Sequence, residues 1–344
     1  MKLAEFVPPT PHPLWKLCLQ MGITDVIVKV NPDLTGLHDP WKLETLESIV
    51  GRLAEAGLTV VGLEGDPFDM SPIKEYGAGG DSANAAESEK RKEALAHYCE
   101  LLDSMGTLGI KLLCYNFMVG KGWSRTGLRE GRGGAKATCF SIGDLPAPET
   151  RTDGLTLDAG QVWDNYAHFI KTVMPVAERN GIRMGLHPDD PCLPSLGGFA
   201  RIFGSVEAYD RACSIYPSES NAVTFCQANF KLMDCAKTAS SGPTDALAGM
   251  VRHFGRRIAF VHVRDVEGTK ENFVELFHDQ GDVDQFALMR TYRELGIDVF
   301  MRGDHVPEMA YDRMISPDDP PGYSTLGRLF ANGYLKALLK GTAG

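Results

Sequence analysis

Four residues of metal-binding type stand at the ends of the last four predicted strands of this chain. His187 ends the fifth strand, Cys226 the sixth and His262 the seventh, and Asp304 follows the eighth. A single histidine or cysteine at a strand end is more often structural, but four such residues on consecutive strands are much harder to attribute to chance. Two imidazoles, a thiolate and a carboxylate predict a divalent metal site, and ligand softness leaves Zn²⁺, Fe²⁺ and Mn²⁺ all possible.

Other polar residues surround these four in the sequence. Imidazoles suit proton transfer at neutral pH, and His305 adjoins Asp304, so it is a candidate general acid or base, or else a hydrogen-bonding neighbour of the metal ligands. Tyr323 could donate a proton across the same pocket, or it could simply pack. Arg264 could bind a carboxylate through two parallel hydrogen bonds, or pair with Asp265. We expect substrate contacts from Asn116, Asp189, Arg125 and Arg264.

One connection, 117–158, is much longer than the others and rich in glycine. Loops of that length are usually lids, binding loops or disordered segments. Between 119 and 136 it carries five basic residues against one acid, Glu130; the five are Lys121, Arg125, Arg129, Arg132 and Lys136. An anionic ligand would explain this local excess of positive charge, and a solvated loop with scattered charges would explain it equally well. A second loop, predicted around 75–90, shows no recognisable chemistry.

The elements that must position these residues repeat as strand, loop and amphipathic helix along the whole chain. Eight strands are predicted, at about 2–6, 25–30, 58–63, 110–115, 182–187, 222–226, 257–263 and 297–302. Helices are expected near 12–22, 41–56, 205–215, 242–254 and 324–340, with another from Asp158 to Gly181 and one ending at Gly106. This alternation predicts a single (β/α)8 barrel over 1–344, in which strand ends converge on one pocket.

Charge and composition make several classes of function poor candidates. The chain has 344 residues and a formal net charge of −10, so it has no overall attraction for nucleic acid or anionic lipid. No apolar run is long enough for a membrane span or the core of a signal peptide, which predicts a cytoplasmic protein. The eight cysteines form no CxxC pair, which favours reduced thiols.

Short motifs spread over most of the chain make it similar to a known family. They include CYNFM at 114–118, WSRT at 123–126, LHPDDP at 186–191, VHVRDVEGT at 261–269, DHVPEMA at 304–310 and PGYSTLGRLFANGYLKALL at 321–339. In this order, and at barrel strand ends, they resemble the metal-dependent mannonate dehydratases of the xylose isomerase-like barrel group.

The resemblance implies an activity and a set of roles. The reaction would be anti elimination of water from D-mannonate, giving 2-dehydro-3-deoxy-D-gluconate, a step of hexuronate catabolism. The metal would be Mn²⁺, with Fe²⁺, Co²⁺ and Zn²⁺ as alternatives, and its ligands would be the four residues chosen above from strand ends. His305 and Tyr323 match the positions of the acid–base pair, with their individual roles open. The resemblance also suggests a homodimer.

Two departures from the family pattern fall in the loop after strand four. Val119 stands where such dehydratases usually have proline, and Gly122 where they usually have an acid. The resemblance implies that this loop touches substrate, so the departures could alter the sugar recognised or the reaction. Two alternatives stay open: a metal-dependent isomerase or epimerase of a related sugar or keto acid, since barrels host many reactions, and a non-catalytic sugar-acid binding protein. The mass of the product separates the first alternative from dehydration, because only dehydration loses a water.

Overall fold

Eight parallel strand positions close into a barrel in the computed structural model, which describes residues 1–77, 85–145, 154–237 and 242–342. The first position is divided at Ala4 into β1 and β2. β1 pairs with the last barrel strand and β2 with the next strand along the chain, so the sheet has no free edge. The predicted barrel and its eight strands are confirmed.

The strands vary in length from two to six residues. Their bounds are β1 Lys2–Leu3, β2 Glu5–Val7, β3 Asp25–Val28, β4 Thr59–Glu64, β5 Leu112–Tyr115, β6 Gly127–Glu130, β7 Lys136–Ser141, β8 Arg183–Leu186, β9 Ser195–Leu196, β10 Phe199–Ala200, β11 Asn221–Cys226, β12 Ile258–Val263, β13 Val266–Thr269, β14 Asn272–Glu275 and β15 Phe300–Gly303. The barrel order from β2 is β3, β4, β5, β8, β11, β12, β15 and β1.

The helices pack around the outside of the barrel or form short turns in its loops. Their bounds are α1 Pro13–Gln20, α2 Pro32–Thr35, α3 Leu43–Glu55, α4 Ser71–Lys74, α5 Ala85–Thr107, α6 Ala159–Arg179, α7 Val206–Ile215, α8 Gln227–Leu232, α9 Asp234–Lys237, α10 Pro243–Phe254, α11 Gln285–Glu294, α12 Asp312–Ile315 and α13 Thr325–Gly341.

Apolar side chains fill the barrel on both sides of its wall. A small cluster that includes Ala4, Ile27, Ala222 and Phe260 occupies the interior, and a much larger one lies between strands and helices. Strands buried on both faces need almost continuous apolar sequence, which explains runs such as IAFVHV in β12. The interior core ends below the rim, so polar residues at the carboxyl ends of the strands face a pocket.

Helix termini follow the predicted signals in most places. Asp158 and Gln161 form a reciprocal capping box at the start of α6, and Gly181 follows that helix at φ 61°. Gly106 does not end its helix, contrary to expectation, because α5 continues to Thr107. Its missing side chain instead makes room for Asn180, whose Oδ1 would lie 2.0 Å from a Cβ placed there. Gly109, at φ 73°, makes the turn.

The described part of the long connection 117–158 contains two β-strands. β6 and β7 form an antiparallel hairpin, and β7 pairs with β14 of a second hairpin, β13–β14, which follows β12. The resulting four-stranded sheet lies at the carboxyl end of the barrel and joins the loops after β5 and β12. Its strands carry no simple apolar alternation, which is why periodicity did not reveal them. Of the second predicted loop, 78–84 lies outside the described residues.

All eight cysteines are free thiols. None of the helices in the described ranges combines the length and apolar character needed to cross a membrane.

Candidate metal centre and catalytic cavity

The four candidate metal ligands come together at the carboxyl end of the barrel. One ligand atom from each of His187, Cys226, His262 and Asp304 lies within 4.8 Å of the ligand atoms of the other three. They belong to β8, β11, β12 and β15 or to the residues just after them, and these strands are neighbours in the barrel. His262 Nδ1 lies 3.6 Å from Asp304 Oδ2, and Cys226 Sγ lies 3.9 Å from the same oxygen.

The chemistry of this donor set fits a divalent cation. Both ring nitrogens of the buried His262 have no hydrogen-bond partner within the described residues, an arrangement that costs free energy unless something binds them. His187 donates from Nδ1 to the carbonyl oxygen of Pro188 at 2.8 Å, which leaves Nε2 with its lone pair free. Burial raises the pKa of the Cys226 thiol, but the neighbouring His187 and His262 imidazoles and the Arg264 guanidinium outweigh it and bring that pKa to about 6.

Arg302 and Glu64 border the ligand cluster. The Arg302 guanidinium donates twice to the Glu64 carboxylate and lies 2.9 Å from Asp304 Oδ1. Burial alone would raise the pKa of Asp304, but the positive charge of Arg302 dominates and holds that pKa well below its usual range. Asp304 is therefore an anion at neutral pH and available as a ligand.

His305 and Tyr323 face the same space as the metal ligands. His305 Nε2 lies 3.2 Å from the Tyr323 hydroxyl, and His305 Nδ1 lies 3.2 Å from Glu275 Oε1. The His305 backbone has φ 49°, a left-handed conformation that non-glycine residues adopt at a cost and that often marks functional sites. Burial raises the pKa of the Tyr323 phenol well above its ordinary value, so the phenol is protonated at neutral pH.

A cavity of about 270 Å³ opens over these side chains. Its wall includes His187, Asp304, His305, Tyr323 and Asn116, so five of the predicted site residues line one space. Asn116 accepts a hydrogen bond from Lys74 Nζ at 3.0 Å through its Oδ1, which directs its amide NH₂ elsewhere. Trp123 covers His305 from the loop side, with ring centroids 5.2 Å apart.

Arg125 and Arg264 lie behind this wall in a buried network with Asp190 and Glu275. Arg125 uses all five of its N–H groups, donating to Asp190, Glu275 and the carbonyl oxygen of Ser124. Arg264 donates to the same two carboxylates, at 2.8 Å to Asp190 and 2.6 Å to Glu275. Of these four residues only Asp190 lines the cavity.

Asp189 points away from the cavity. Its Oδ2 accepts a hydrogen bond from the Phe203 backbone N–H at 2.7 Å, and its Oδ1 lies 3.5 Å from Arg201. Among the five basic residues between 119 and 136, all of which the structure describes, only Arg125 turns inward. The other four side chains are exposed, and Arg132 pairs with Asp279; the four are Lys121, Arg129, Arg132 and Lys136.

Several residues of the cavity escaped the sequence reasoning. Lys29 follows β3, the second strand position, and Glu64 ends β4, the third. Both line the cavity, and a search of all eight strand ends, rather than the last four, would have found them. Trp123 and Glu275 had no such signal. Trp123 lies in the loop that leads into β6, and Glu275 ends β14 and contacts His305 from behind the cavity wall.

The chain matches the family model for D-mannonate dehydratase (UxuA) over residues 81–150 and 149–343. It is 28% identical to the mannonate dehydratase of Streptococcus agalactiae serotype Ia over 334 residues, covering 88% of each chain. It is 26% identical to that of Enterococcus faecalis over 355 residues, covering 93% of this chain and 91% of the relative.

A solved structure supports the fold. The crystal structure of mannonate dehydratase from Streptococcus suis serotype 2 superposes with a TM-score of 0.82 at 24% identity, covering 99% of this chain and 93% of that one. The extent of the family match supports the dehydratase hypothesis over the isomerase alternative. The chain belongs to the D-mannonate dehydratase family.

Proposed function

We propose that the protein is a metal-dependent hydro-lyase that converts D-mannonate to 2-dehydro-3-deoxy-D-gluconate and water. The observation that carries this proposal is the cluster of four metal-type ligands, of which His187 and Asp304 line one cavity together with the hydrogen-bonded pair His305 and Tyr323. A proton donor and acceptor next to a Lewis-acid site is what elimination of water from a hydroxy acid requires.

His187, Cys226, His262 and Asp304 would hold the cation. A bound divalent ion polarises the substrate oxygens and so makes the proton on C2 more acidic. We propose Mn²⁺ as the resident ion, with Fe²⁺, Co²⁺ and Zn²⁺ as alternatives, because the mixed N, O and S donor set accepts each of them.

His305 and Tyr323 would move the protons. One of the pair removes the proton from C2; the C2–C3 double bond forms as the C3–O bond breaks, and the other protonates the departing hydroxyl to give water. The resulting enol takes a proton at C3 and becomes the 2-keto acid. Glu275 holds His305 through Nδ1, so that Nε2 points toward Tyr323 and the cavity.

The remaining predicted substrate residues take two kinds of role. Asn116 lies on the cavity wall and is placed to donate its amide hydrogens to substrate hydroxyls. Arg125, Arg264 and Asp189 have their polar atoms committed to protein partners, so we assign them to positioning: the arginines hold Asp190 and Glu275, and Asp189 holds the loop at Phe203.

Two further proposals concern the setting of the enzyme. The eight free thiols support a reducing compartment, the cytoplasm. The exposed apolar side chains of Tyr311, Met314 and Ile315 support a homodimer that buries them. Cell fractionation tests the first proposal, and light scattering on the purified protein tests the second.

The deciding experiment incubates Mn²⁺-loaded protein with D-mannonate and follows both product mass and formation of a 2-keto-3-deoxy acid. We expect a product lighter by one water, formed at an ordinary enzymatic rate. Conversion at unchanged mass would instead indicate an isomerase, and tight metal binding without turnover of any sugar acid would indicate a binding protein. Protein treated with a chelator is the control and should be inactive until Mn²⁺ is restored.

A further inference from the structure

Lys29 reaches the catalytic cavity from the second strand position of the barrel. It follows β3 directly, is partly buried and lines the cavity wall. Its aliphatic stem lies along Gly65: a Cβ placed on that glycine would come within 3.4 Å of Lys29 Cε. Gly65 has φ 88°, so the turn itself favours a residue without a side chain, and the lysine occupies the space.

The Lys29 ammonium has no protein partner within the described residues, unlike the other charged side chains on the cavity wall. Arg302 pairs with Glu64 and Asp304, Asp66 with Lys74, and Asp190 with Arg125 and Arg264. Three N–H donors on Lys29 are therefore available to a molecule in the cavity.

Lys29 lies across the barrel from Cys226, whereas Asp304 follows β15, which one strand position separates from β3. Three strand positions separate β3 from β11, the strand of Cys226, in either direction around the sheet. His187 and His262 come from the strands on either side of β11, β8 and β12. A substrate with its reacting carbons at the metal ligands therefore extends across the cavity toward Lys29.

We propose that Lys29 binds the end of the sugar acid remote from the metal ligands and selects for the length of its carbon chain. The inference rests on the proposed function and adds a specificity-determining residue to it. The Lys29 ammonium donates to the terminal hydroxyl groups of the six-carbon chain, and a shorter acid leaves it without an acceptor.

The surroundings of Lys29 favour hydroxyl groups over a second carboxylate as the group it binds. Lys29, Asp66, Met118 and Gly122 also line a second cavity of about 470 Å³, which adjoins the first. That cavity has four acidic residues on its wall against two lysines; the acidic residues are Asp33, Asp66, Asp69 and Glu75. Their negative charge disfavours an anionic tail, whereas a neutral polyhydroxyl tail finds both donors and acceptors.

The test compares two acids and two variants by steady-state kinetics on Mn²⁺-loaded protein, and by calorimetry on the same proteins with His305→Asn added to stop turnover. D-Lyxonate has the configuration of D-mannonate at C2, C3 and C4 but lacks the last carbon. Lys29→Met keeps an apolar stem over Gly65 and removes the charge. We expect this variant to bind D-mannonate about tenfold to a hundredfold more weakly, as for a lost charged hydrogen bond, with KM affected more than kcat.

Binding of D-lyxonate should change by less than about twofold in Lys29→Met, because that acid makes no contact with the ammonium. Lys171→Met, on the exposed surface of α6, is the matched control and should bind both acids like the wild type. Equal weakening for both acids, or none for D-mannonate, would overturn the inference while leaving the dehydratase proposal intact. If wild-type protein bound neither acid, the sugar-acid assignment itself would fail, and the role of Lys29 with it.

Discussion

His305 is the residue whose local geometry best indicates a chemical role. Its ring bridges Glu275 and Tyr323, with a contact of 3.2 Å on each side, and its backbone is held at φ 49°. A histidine that served only to fill space would not need a conformation that costs about 1 kcal/mol or more. In this conformation Nε2 faces the Tyr323 hydroxyl in the cavity, next to the candidate metal ligand Asp304.

Replacement His305→Asn tests this role. Asparagine tolerates the left-handed backbone and has a similar polarity, so the loop should stay in place. We expect turnover of D-mannonate to fall by about 10²-fold or more, the scale of a lost general acid or base, while bound metal stays stoichiometric. Tyr323→Phe, which removes the partner hydroxyl, should show a comparable loss. A rate within about twofold of wild type in His305→Asn would exclude His305 from proton transfer.

The hairpins β6–β7 and β13–β14 form one small sheet above the cavity. Arg125, just before β6, forms buried ion pairs that hold this sheet in place. The Arg125 guanidinium lies between the rings of Trp123 and Phe273, with centroids at 4.7 and 4.8 Å, and bridges two buried carboxylates. The loop therefore presents Trp123 over His305 as part of a fixed wall.

Arg125→Met should uncouple the hairpins. Removing one partner of a buried ion pair destabilises a protein by about 3 to 5 kcal/mol. We expect the free energy of unfolding to fall by about 3 kcal/mol, the lower limit of that range, because Arg264 still pairs with both carboxylates. Urea unfolding measures this. Arg129→Met, exposed on β6 of the same hairpin, should change stability by less than about 0.5 kcal/mol. Equal stability of the two variants would show that the ion pairs of Arg125 do not stabilise the sheet of the two hairpins.

The apolar core of the barrel and the candidate metal ligands are separate parts of the molecule. The large cluster between strands and helices contains no candidate ligand, so we expect the barrel to fold without the ion. Binding nevertheless stabilises the folded state by mass action, because the four ligands meet only when the strands are in register.

Added Mn²⁺ should therefore raise the melting temperature of chelator-treated protein without changing its secondary structure. The free energy of unfolding rises by about 2.7 kcal/mol when the concentration of free ion exceeds its Kd by about a hundredfold. His187→Ala should abolish both the increase and the bound metal, whereas His253→Ala, which removes an exposed histidine on α10, should retain both. Thermal melts with metal analysis measure these effects. Stoichiometric metal in His187→Ala would show that the ligand assignment is wrong.

The amino-acid sequence by itself determined the barrel and four residues of metal-ligand type. Alternating apolar runs and capped helices are local signals, as at Asp158, and parallel strands place their carboxyl ends together whatever the loops do. Candidates chosen at strand ends, such as His187 and Cys226, therefore meet in space. The sequence motifs also identified the family.

Only the tertiary structure decided which polar side chains face the cavity. Asp189 and Asp190 are neighbours in the chain, yet one turns toward Phe203 and the other toward the arginines. Arg125 was expected to contact substrate, but its N–H groups donate to Asp190 and to Glu275, which is 150 residues away in the chain. Such pairings depend on how two hairpins from distant loops pack together. No local sequence pattern predicts that packing. The unpaired ammonium of Lys29 is likewise recognised only in the tertiary structure, which shows that the other charged side chains of the cavity wall form ion pairs.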